Sequence, residues 1–286
     1  MKFGIIFANI GPWQLPDNAT AMGQIAEEFG IESLWCVEHV VVPKGYESAY
    51  PYSPDGRMPG PENSPIPDPL VWMTWVAAKT TTIRLATGVL ILPQRNPLVL
   101  AKEVATMDVL SGGRIDLGIG VGWLEEEFDA IGIPFKQRGS RTDETVAALR
   151  AAWTQSPATH AGKYHNFTDV YVLPQPVQPG GVPIHVGGHT EIAARRAGRL
   201  GDGFFPAQGG VAELPALLDV MRKEAADHGR DGDKIEVTAG ASFNLDEIRQ
   251  LGELGVSRLM IPPLAFDPDG LRQALDRFQN DIISKV

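Results

Sequence analysis

Short apolar runs alternate with amphipathic segments along the whole chain, and this alternation constrains the fold more strongly than any other feature. The segments between the runs have helical spacing, as at Met22, Ile25, Ala26 and Phe29. The runs predict eight strands, at 3–8, 33–37, 83–92, 115–119, 183–186, 203–205, 235–239 and 256–261. Eight strand–helix units predict an α/β fold, a parallel eight-stranded (β/α)8 TIM barrel, rather than the doubly wound open sheet that is its main alternative.

Two long stretches interrupt this alternation, at 42–67 after strand two and at 155–181 before strand five. They are rich in Pro, Gly and Tyr, and we interpret them as loops inserted into the barrel. Loops of this length are often lids or binding loops, and Tyr46, Tyr50 and Tyr52 would suit a wall over a flat ligand. No linker divides the chain, so a single barrel domain over residues 1–286 is predicted.

The formal net charge of −10 makes some classes of binding partner unfavourable. An acidic protein is a poor partner for nucleic acid and for anionic membranes, and an anionic cofactor would need local positive features. No apolar run reaches the roughly 18 residues that a membrane span requires. The single cysteine, Cys36, excludes a disulfide framework and falls within strand two as a buried small residue. The N-terminal apolar run is too short for a signal peptide. Together with the lack of a second cysteine, this favours a cytoplasmic location.

In a barrel of this type, function lies in the loops that follow the strands. Glu38-His39 ends strand two, and histidine is the side chain best suited to move protons near neutral pH. The alternative is a histidine that only bonds a backbone carbonyl. Gly88, near the end of strand three, indicates either a bulge approached closely by a ligand or a structural glycine.

A glycine-rich run, 118–123, follows strand four and leads into Glu125-Glu126-Glu127. Its glycines would let a ligand meet the backbone. The run does not fit the G-x-G-x-x-G fingerprint of dinucleotide-binding folds, because its third glycine comes one residue early and no fitting acid follows at about 20 residues. The three glutamates are more typical of a solvated helix start.

Gly187-Gly188 joins strand five to its helix. Two glycines at a helix N-terminus leave N–H groups free at the positive end of the helix dipole, an arrangement that binds phosphate. His185 and His189 flank them, but one belongs to the strand and the other to the helix start, and no partner acid is evident. No metal site is therefore predicted.

Taken in order, these motifs resemble the luciferase-like monooxygenase superfamily. The resemblance rests on Glu38-His39, Ala86-Thr87-Gly88-Val89, Ser111-Gly112-Gly113-Arg114, the run 118–123 with Glu127, Arg138-Gly139-Ser140-Arg141-Thr142-Asp143-Glu144, Val186-Gly187-Gly188 and Asp202-Gly203-Phe204-Phe205. It covers nearly the whole chain. Within that superfamily the chain is similar to the branch of F420-dependent oxidoreductases.

The resemblance implies that coenzyme F420, or alternatively FMN, binds in the barrel mouth, where hydride passes between the deazaflavin C5 and a small organic substrate. It implies catalytic roles for His39 and Glu38, and a non-prolyl cis peptide at Gly88–Val89 against the ring. The cofactor-binding residues it implies are Thr87, Gly88, Val89, Gly120, Val121, Gly122, Glu127, Arg141, Gly187, Gly188 and His189. Glu127 and Arg141 could instead form an internal pair between the loop and helix four.

Three other functions compete with this one. An FMN-dependent monooxygenase would be supplied with reduced flavin by a partner reductase, and an F420-binding carrier would have no chemistry of its own. A metal- or base-dependent lyase or isomerase is disfavoured, because the predicted strand ends carry no lysine. The resemblance is also compatible with a homodimer, for which the apolar Trp72-Met73 and Trp75-Val76 could provide a face or could equally pack inward.

Overall fold

The structure is a computed structural model that describes residues 1–206, 210–240 and 242–286. Within these ranges the strands are β1 (Lys2–Ile6), β2 (Ser33–Cys36), β3 (Arg84–Thr87), β4 (Leu90–Ile91), β5 (Ile115–Gly120), β6 (Ala158–Ala161), β7 (Asn166–Val170), β8 (Ile184–Gly187), β9 (Gly203–Phe205), β10 (Glu236–Gly240) and β11 (Val256–Ile261). The helices are α1 (Pro16–Glu28), α2 (Pro69–Ala77), α3 (Pro97–Ser111), α4 (Glu125–Ala130), α5 (Arg138–Thr154), α6 (Glu191–Leu200), α7 (Leu214–Asp227), α8 (Leu245–Glu253) and α9 (Pro268–Asp281).

Eight strands close into a parallel barrel in the order β1, β2, β3, β5, β8, β9, β10 and β11. β11 pairs with β1, where Leu259 lies opposite Phe3, and β3 pairs with β5, where Ala86 lies opposite Asp116. Neighbouring helices pack on one another around the outside. The predicted (β/α)8 barrel is confirmed, and the open sheet is wrong.

The third barrel strand is not the continuous run over 83–92 that the sequence predicts. It is broken into β3 and the two-residue β4, with a cis peptide bond at Gly88–Val89 between them, as the family resemblance implies. The Thr87 hydroxyl donates to the Gly118 carbonyl oxygen at 2.6 Å. A Cβ atom on Gly118 would lie 1.8 Å from the Thr87 carbonyl oxygen, so this approach of the two strands requires glycine.

The barrel interior is filled by two layers of different chemistry. Ile6, Trp35, Ala86, Phe205 and Met260 form an apolar cluster separate from the one between the strands and the helices. Large side chains in this layer make the barrel a packed core rather than a pore.

A layer of ion pairs lies nearer the N-terminal ends of the strands, and we call its five residues the charged floor. Arg258, which is 1% exposed, donates to Glu32 at 2.7 Å and to Glu236 at 2.8 Å. Arg84 donates to the Asp116 carboxylate at 2.6 and 2.7 Å. Each buried charge is therefore paired within the chain, which offsets the cost of its burial.

The insertion at 155–181 contains an antiparallel hairpin of β6 and β7. It is fastened to α5 by the Glu144 carboxylate, which accepts the backbone N–H groups of Lys163, Tyr164 and His165 at 2.9, 2.7 and 2.7 Å. The hairpin therefore has a fixed position against the start of α5.

Helix α2 shows which of the predicted apolar residues face inward. Asp68 caps its N-terminus, and Trp72, Met73 and Val76 are buried against the barrel, whereas Trp75 remains 47% exposed. Among the described residues, none of the helices is both long and apolar enough for a bilayer crossing.

Cys36 is fully buried in β2, as the sequence predicts. Burial raises the pKa of its thiol well above the usual range, because the thiolate would lose its hydration. The thiol therefore stays protonated and acts as a small apolar residue.

Candidate active site

The barrel mouth, where the C-terminal ends of the strands meet, collects most of the predicted site residues. His39 lies three residues after β2, and its Nδ1 is 3.0 Å from Oε2 of Glu127, a residue of α4. The two side chains are 9% and 0% exposed. A carboxylate only accepts hydrogen bonds, so Nδ1 carries a proton and Nε2 is the ring nitrogen available for proton transfer.

The Glu127 carboxylate is occupied by the chain itself. Its Oε1 accepts the backbone N–H groups of Val40 at 2.6 Å and Val41 at 3.2 Å, while Oε2 bonds His39. The solvated helix start predicted for the three glutamates is therefore wrong for Glu127. The alternative internal pair with Arg141 is also wrong, because the partner of Glu127 is His39.

The neighbouring Glu126 fastens the long loop 42–67 over the mouth. Its Oε1 accepts the backbone N–H groups of Glu47 at 2.6 Å and Ser48 at 3.0 Å. The Ser48 hydroxyl in turn accepts the N–H of Glu125 at 3.1 Å. A hydrogen bond from the Ser48 side chain, with those from the two N–H groups, lowers the pKa of Glu126 to about 2. The carboxylate stays ionised and holds the loop at neutral pH.

Tyr50 and Tyr52 of this loop form a continuous aromatic series across the mouth with Trp123, and we call these three residues the aromatic wall. Trp123 meets His39 edge-on with ring centroids 5.7 Å apart and meets Tyr50 at 5.1 Å. Tyr50 contacts Tyr52 at 5.3 Å, and Tyr52 contacts His189 at 5.1 Å. Burial raises the pKa of both tyrosines, so their hydroxyls stay neutral. The wall connects the end of β2 with the start of α6.

Glu38 is buried and forms a structural ion pair with Arg95. Its Oε2 accepts the Ile91 N–H at 2.6 Å, and its Oε1 bonds Arg95, which also reaches Asp68 at 3.0 Å. Burial raises the pKa of Glu38, and Arg95 offsets only part of that effect. In this geometry Glu38 holds β4, and its catalytic role beside His39 stays a prediction.

The glycines of the mouth make room for side chains of the chain itself. A Cβ atom on Gly120 or on Gly187 would lie 2.5 or 2.6 Å from a methyl group of Val89. A Cβ atom on Gly122 would lie 2.6 Å from the Phe128 ring. Sequence reasoning assigned these glycines to a ligand, but packing of Val89 and Phe128 already requires them.

The turn between β8 and α6 keeps the features expected of an anion site. Gly188 has a φ of +126°, a backbone conformation that favours glycine. Thr190 caps α6 by accepting the Ala193 N–H at 3.3 Å. The Nδ1 atom of His189 is buried and has no hydrogen-bond partner in the part of the chain that the structure describes. An unpartnered buried nitrogen beside a helix N-terminus could donate to a bound anion.

Two arginines stand at the start of α5. Arg141 lies 4.5 Å over the Tyr164 ring, and Arg138 lies 3.8 Å over the Phe135 ring and donates to the Gly122 carbonyl oxygen at 3.2 Å. Their hydrogen bonds within the described residues go to neutral oxygens, from Arg138 to the Gly122 and Phe135 carbonyls and from Arg141 to the Gln137 side chain, and neither pairs with a carboxylate there. Cations in a first helical turn face the positive end of the helix dipole, and a bound anion would offset that unfavourable placement.

His185 is separated from His189 and lies in the barrel interior. Its Nε2 is 3.8 Å from the Asp116 carboxylate of the charged floor. Among the described residues there is no group of three or more histidine, cysteine or carboxylate side chains placed to hold a metal ion.

Sequence reasoning assigned no role to Trp123 or Arg138. Both lie inside motifs that carry the family resemblance. Trp123 comes two residues after the half-buried Val121, and Arg138 comes three residues before Arg141. An aromatic residue directly after a glycine-rich turn at a strand end is the signal that could have found Trp123. Arg138 could have been found from its position one helical turn before Arg141.

Two comparisons by sequence identify relatives of this chain. The family model described as luciferase-like monooxygenase matches residues 1–251. The F420-dependent glucose-6-phosphate dehydrogenase of Kineococcus radiotolerans is 34% identical over 228 residues, which cover 78% of this chain and 62% of that protein.

Two solved structures share the fold. An F420-dependent secondary alcohol dehydrogenase, in complex with an F420–acetone adduct, matches with a TM-score of 0.78 at 17% identity, over 100% of this chain and 99% of the other. The FMN complex of the oxygenating constituent of 3,6-diketocamphane monooxygenase from Pseudomonas putida matches with a TM-score of 0.76 at 17% identity, also over 100% and 99%. At this identity the likeness shows the fold alone.

Proposed function

Because the chain belongs to the luciferase-like monooxygenase family, we propose that it is an F420-dependent oxidoreductase that transfers a hydride between the deazaflavin C5 and a small organic substrate. The observation that carries the proposal is the buried pairing of His39 with Glu127 beneath the aromatic wall. The F420-dependent relative supports the choice of cofactor.

The residues of the mouth fit a flat, anionic cofactor. Arg138 and Arg141 bond only neutral oxygens among the described residues, where the buried Nδ1 of His189 also lacks a hydrogen bond. With the Gly187-Gly188 turn, they would hold a phosphate-bearing side. Val89 and the aromatic wall would contact the ring. When bound, the cofactor supplies the carbon that donates or accepts the hydride.

His39 supplies the proton chemistry that hydride transfer to or from an oxygen-bearing carbon requires. Its Nε2 would take the proton from a hydroxyl group or return it to a carbonyl oxygen. Glu127 fixes the tautomer and stabilises the imidazolium when His39 holds both protons. Because Trp123 packs edge-on against the ring, His39 has a defined orientation as well as a defined tautomer.

Fluorescence titration of the purified protein with F420, and in parallel with FMN, tests this proposal. We expect F420 to bind at least about ten-fold more tightly, a difference of about 1.4 kcal/mol. Binding of FMN without F420 would contradict the proposal and favour a monooxygenase supplied with reduced flavin by a partner reductase.

Turnover separates the enzyme from a cofactor carrier. F420 bound to the wild type should be reduced or oxidised by at least one alcohol or carbonyl compound of a substrate panel, and the rate should depend on His39. F420 binding without turnover of any compound would favour the carrier.

A further inference from the structure

Four cations cluster at the edge of the barrel mouth, at the start of α5, in the turn before it and in the turn of the β6–β7 hairpin. The segments 130–142 and 156–168 that carry them contain no Asp or Glu, although the chain as a whole has a formal net charge of −10. A local excess of positive charge in an acidic protein favours an anionic ligand. The cluster, which we call the cationic rim, consists of Lys136, Arg138, Arg141 and Lys163.

The cationic rim begins at the mouth and extends outward onto the hairpin. Arg138 donates to the carbonyl oxygen of Gly122, which follows β5, at 3.2 Å. Arg141 lies about one helical turn further along α5, and its guanidinium stands 4.5 Å from the centroid of the Tyr164 ring. The Nζ atom of Lys163 lies 5.2 Å from the centroid of the same ring. The cations therefore form a path rather than a single point of positive charge.

The two carboxylates that follow the cationic rim in α5 are engaged with other groups. Asp143 accepts hydrogen bonds from Arg196 and Arg199 of α6. Glu144 accepts three backbone N–H groups of the hairpin. The oxygens of both carboxylates are thus occupied within the chain, and a bound anion would offset the mutual repulsion of the rim cations.

Coenzyme F420 carries anionic groups in succession, whereas FMN carries one. Both cofactors have a phosphate on the side chain of the ring, and the side chain of FMN ends there. In F420 it continues through a lactate into a chain of glutamates, and every glutamate adds a carboxylate. A path of cations therefore matches the part of F420 that FMN lacks.

We propose that the cationic rim binds the oligoglutamate tail of coenzyme F420, with Arg141 and Lys163 as the main contacts of its carboxylates. This inference rests on the proposed function and deepens it, because it assigns the preference for F420 over FMN to named side chains. Arg141 can engage a carboxylate with two N–H groups at once, whereas the exposed Lys163 acts as a point charge. Ion pairs at an exposed rim are individually weak and are screened by salt, so the gain in affinity is moderate and falls with ionic strength.

Fluorescence titration with three deazaflavins tests the inference without any turnover: F420 with several glutamates, the same compound without glutamates, and the chromophore that lacks both phosphate and tail. At low ionic strength we expect the tailed form to bind at least about five-fold more tightly than the form without glutamates. In about 0.5 M NaCl this ratio should fall toward one. Equal affinity of the two forms at low ionic strength overturns the inference and leaves the proposed function standing. Absence of binding by all three compounds would instead contradict the proposed function, so the two failures are distinct.

A matched pair of double variants locates the tail. Arg141→Gln/Lys163→Gln should abolish the affinity gained from the glutamates, while the affinity for the chromophore alone stays unchanged and shows that the mouth is still folded. Arg249→Gln/Lys234→Gln is the control, because it removes the same two charges from exposed positions outside α5 and the hairpin. We expect the control to retain the gain. A gain that persists in the first variant, or that falls equally in both, overturns the assignment.

Discussion

The two ends of this barrel use polar residues in opposite ways. In the charged floor, Arg258, Glu32 and Glu236 pair with one another, and each buried charge has its partner. At the mouth, the buried Nδ1 of His189 and the guanidinium groups of the first turn of α5 have no such partner among the described residues. The difference fits a floor that stabilises the fold and agrees with our proposal that the mouth binds the ligands, as it does in other barrels of this architecture.

The directions of the pKa shifts in the floor support this division. Although burial opposes ionisation, contacts with Arg258 lower the pKa of Glu32 and, with Lys2, that of Glu236. Burial likewise opposes ionisation of Asp116, but His185 and Arg84 hold its pKa well below the usual range. These carboxylates are ionised at neutral pH, so the floor retains its ion pairs there.

The largest effect is expected at the floor. Arg258→Met would leave two carboxylates without their partner, and we expect the free energy of unfolding to fall by about 3–5 kcal/mol. Urea denaturation measures this loss. If the methionine variant does not fold, Arg258→Lys replaces it in the experiment. This variant retains the positive charge, so its free energy of unfolding should fall by less. A loss below about 1 kcal/mol for the methionine variant would contradict a stabilising role of the floor.

At the mouth, His39→Gln should lower turnover by about 100- to 10,000-fold, because glutamine cannot carry the proton. Glutamine can still donate to Glu127, so we expect unfolding free energy to change by less than about 1.5 kcal/mol. His228→Gln, at the end of α7, is the matched control and should leave turnover unchanged. Equal turnover in the two variants would remove His39 from the mechanism.

Glu127 should act through His39. Glu127→Gln removes the charge that stabilises the imidazolium, and we expect turnover to fall by about 10- to 100-fold with a shifted pH–rate profile. Glu126→Gln makes the same change one residue away, where the carboxylate only fastens the loop. A pH profile that shifts equally in both variants would show a structural role alone.

Gly120→Ala tests the packing of the mouth. Because its Cβ atom would lie 2.5 Å from Val89, we expect a loss of about 1–3 kcal/mol in unfolding free energy. Gly240→Ala is the control at the end of β10, where a Cβ atom would have no neighbour within 4 Å. The double variant Gly120→Ala/Val89→Ala should recover most of the loss. Lack of recovery would contradict the contact.

The smallest effect is the acid dependence of the floor. A carboxylate whose pKa is lower in the folded chain than in the unfolded chain stabilises the fold above the unfolded value, and that stabilisation is lost as pH falls. For Glu32 and Glu236 the loss should begin below their ordinary value of 4.5. Between pH 5 and pH 3 the wild type should lose about 1–2 kcal/mol more than Arg258→Met. Parallel curves would contradict this account.

The sequence predicts the barrel well because strand and helix periods are local properties. The break at Gly88–Val89 is hidden, since apolar residues continue through it from β3 to β4. Family resemblance, and not periodicity, implied the cis peptide there.

Pairings across the barrel could not be read from spacing. His39 and Glu127 are 88 residues apart and meet only when β2 and β5 close into one mouth. Glu38 and His39 are adjacent in sequence, but successive residues of an extended segment point in opposite directions, so the Arg95 pairing of Glu38 could not be predicted from its position beside His39. The charged floor was missed because its members are single charges at the starts of different strands.

Hydrogen–deuterium exchange with and without F420 tests most directly whether the mouth is the cofactor site. We predict slower exchange over 38–52, 118–123 and 185–190, and unchanged exchange over 32–34 and 256–259 at the floor. Protection at the floor, or F420 binding with no protection in the mouth segments, would contradict it.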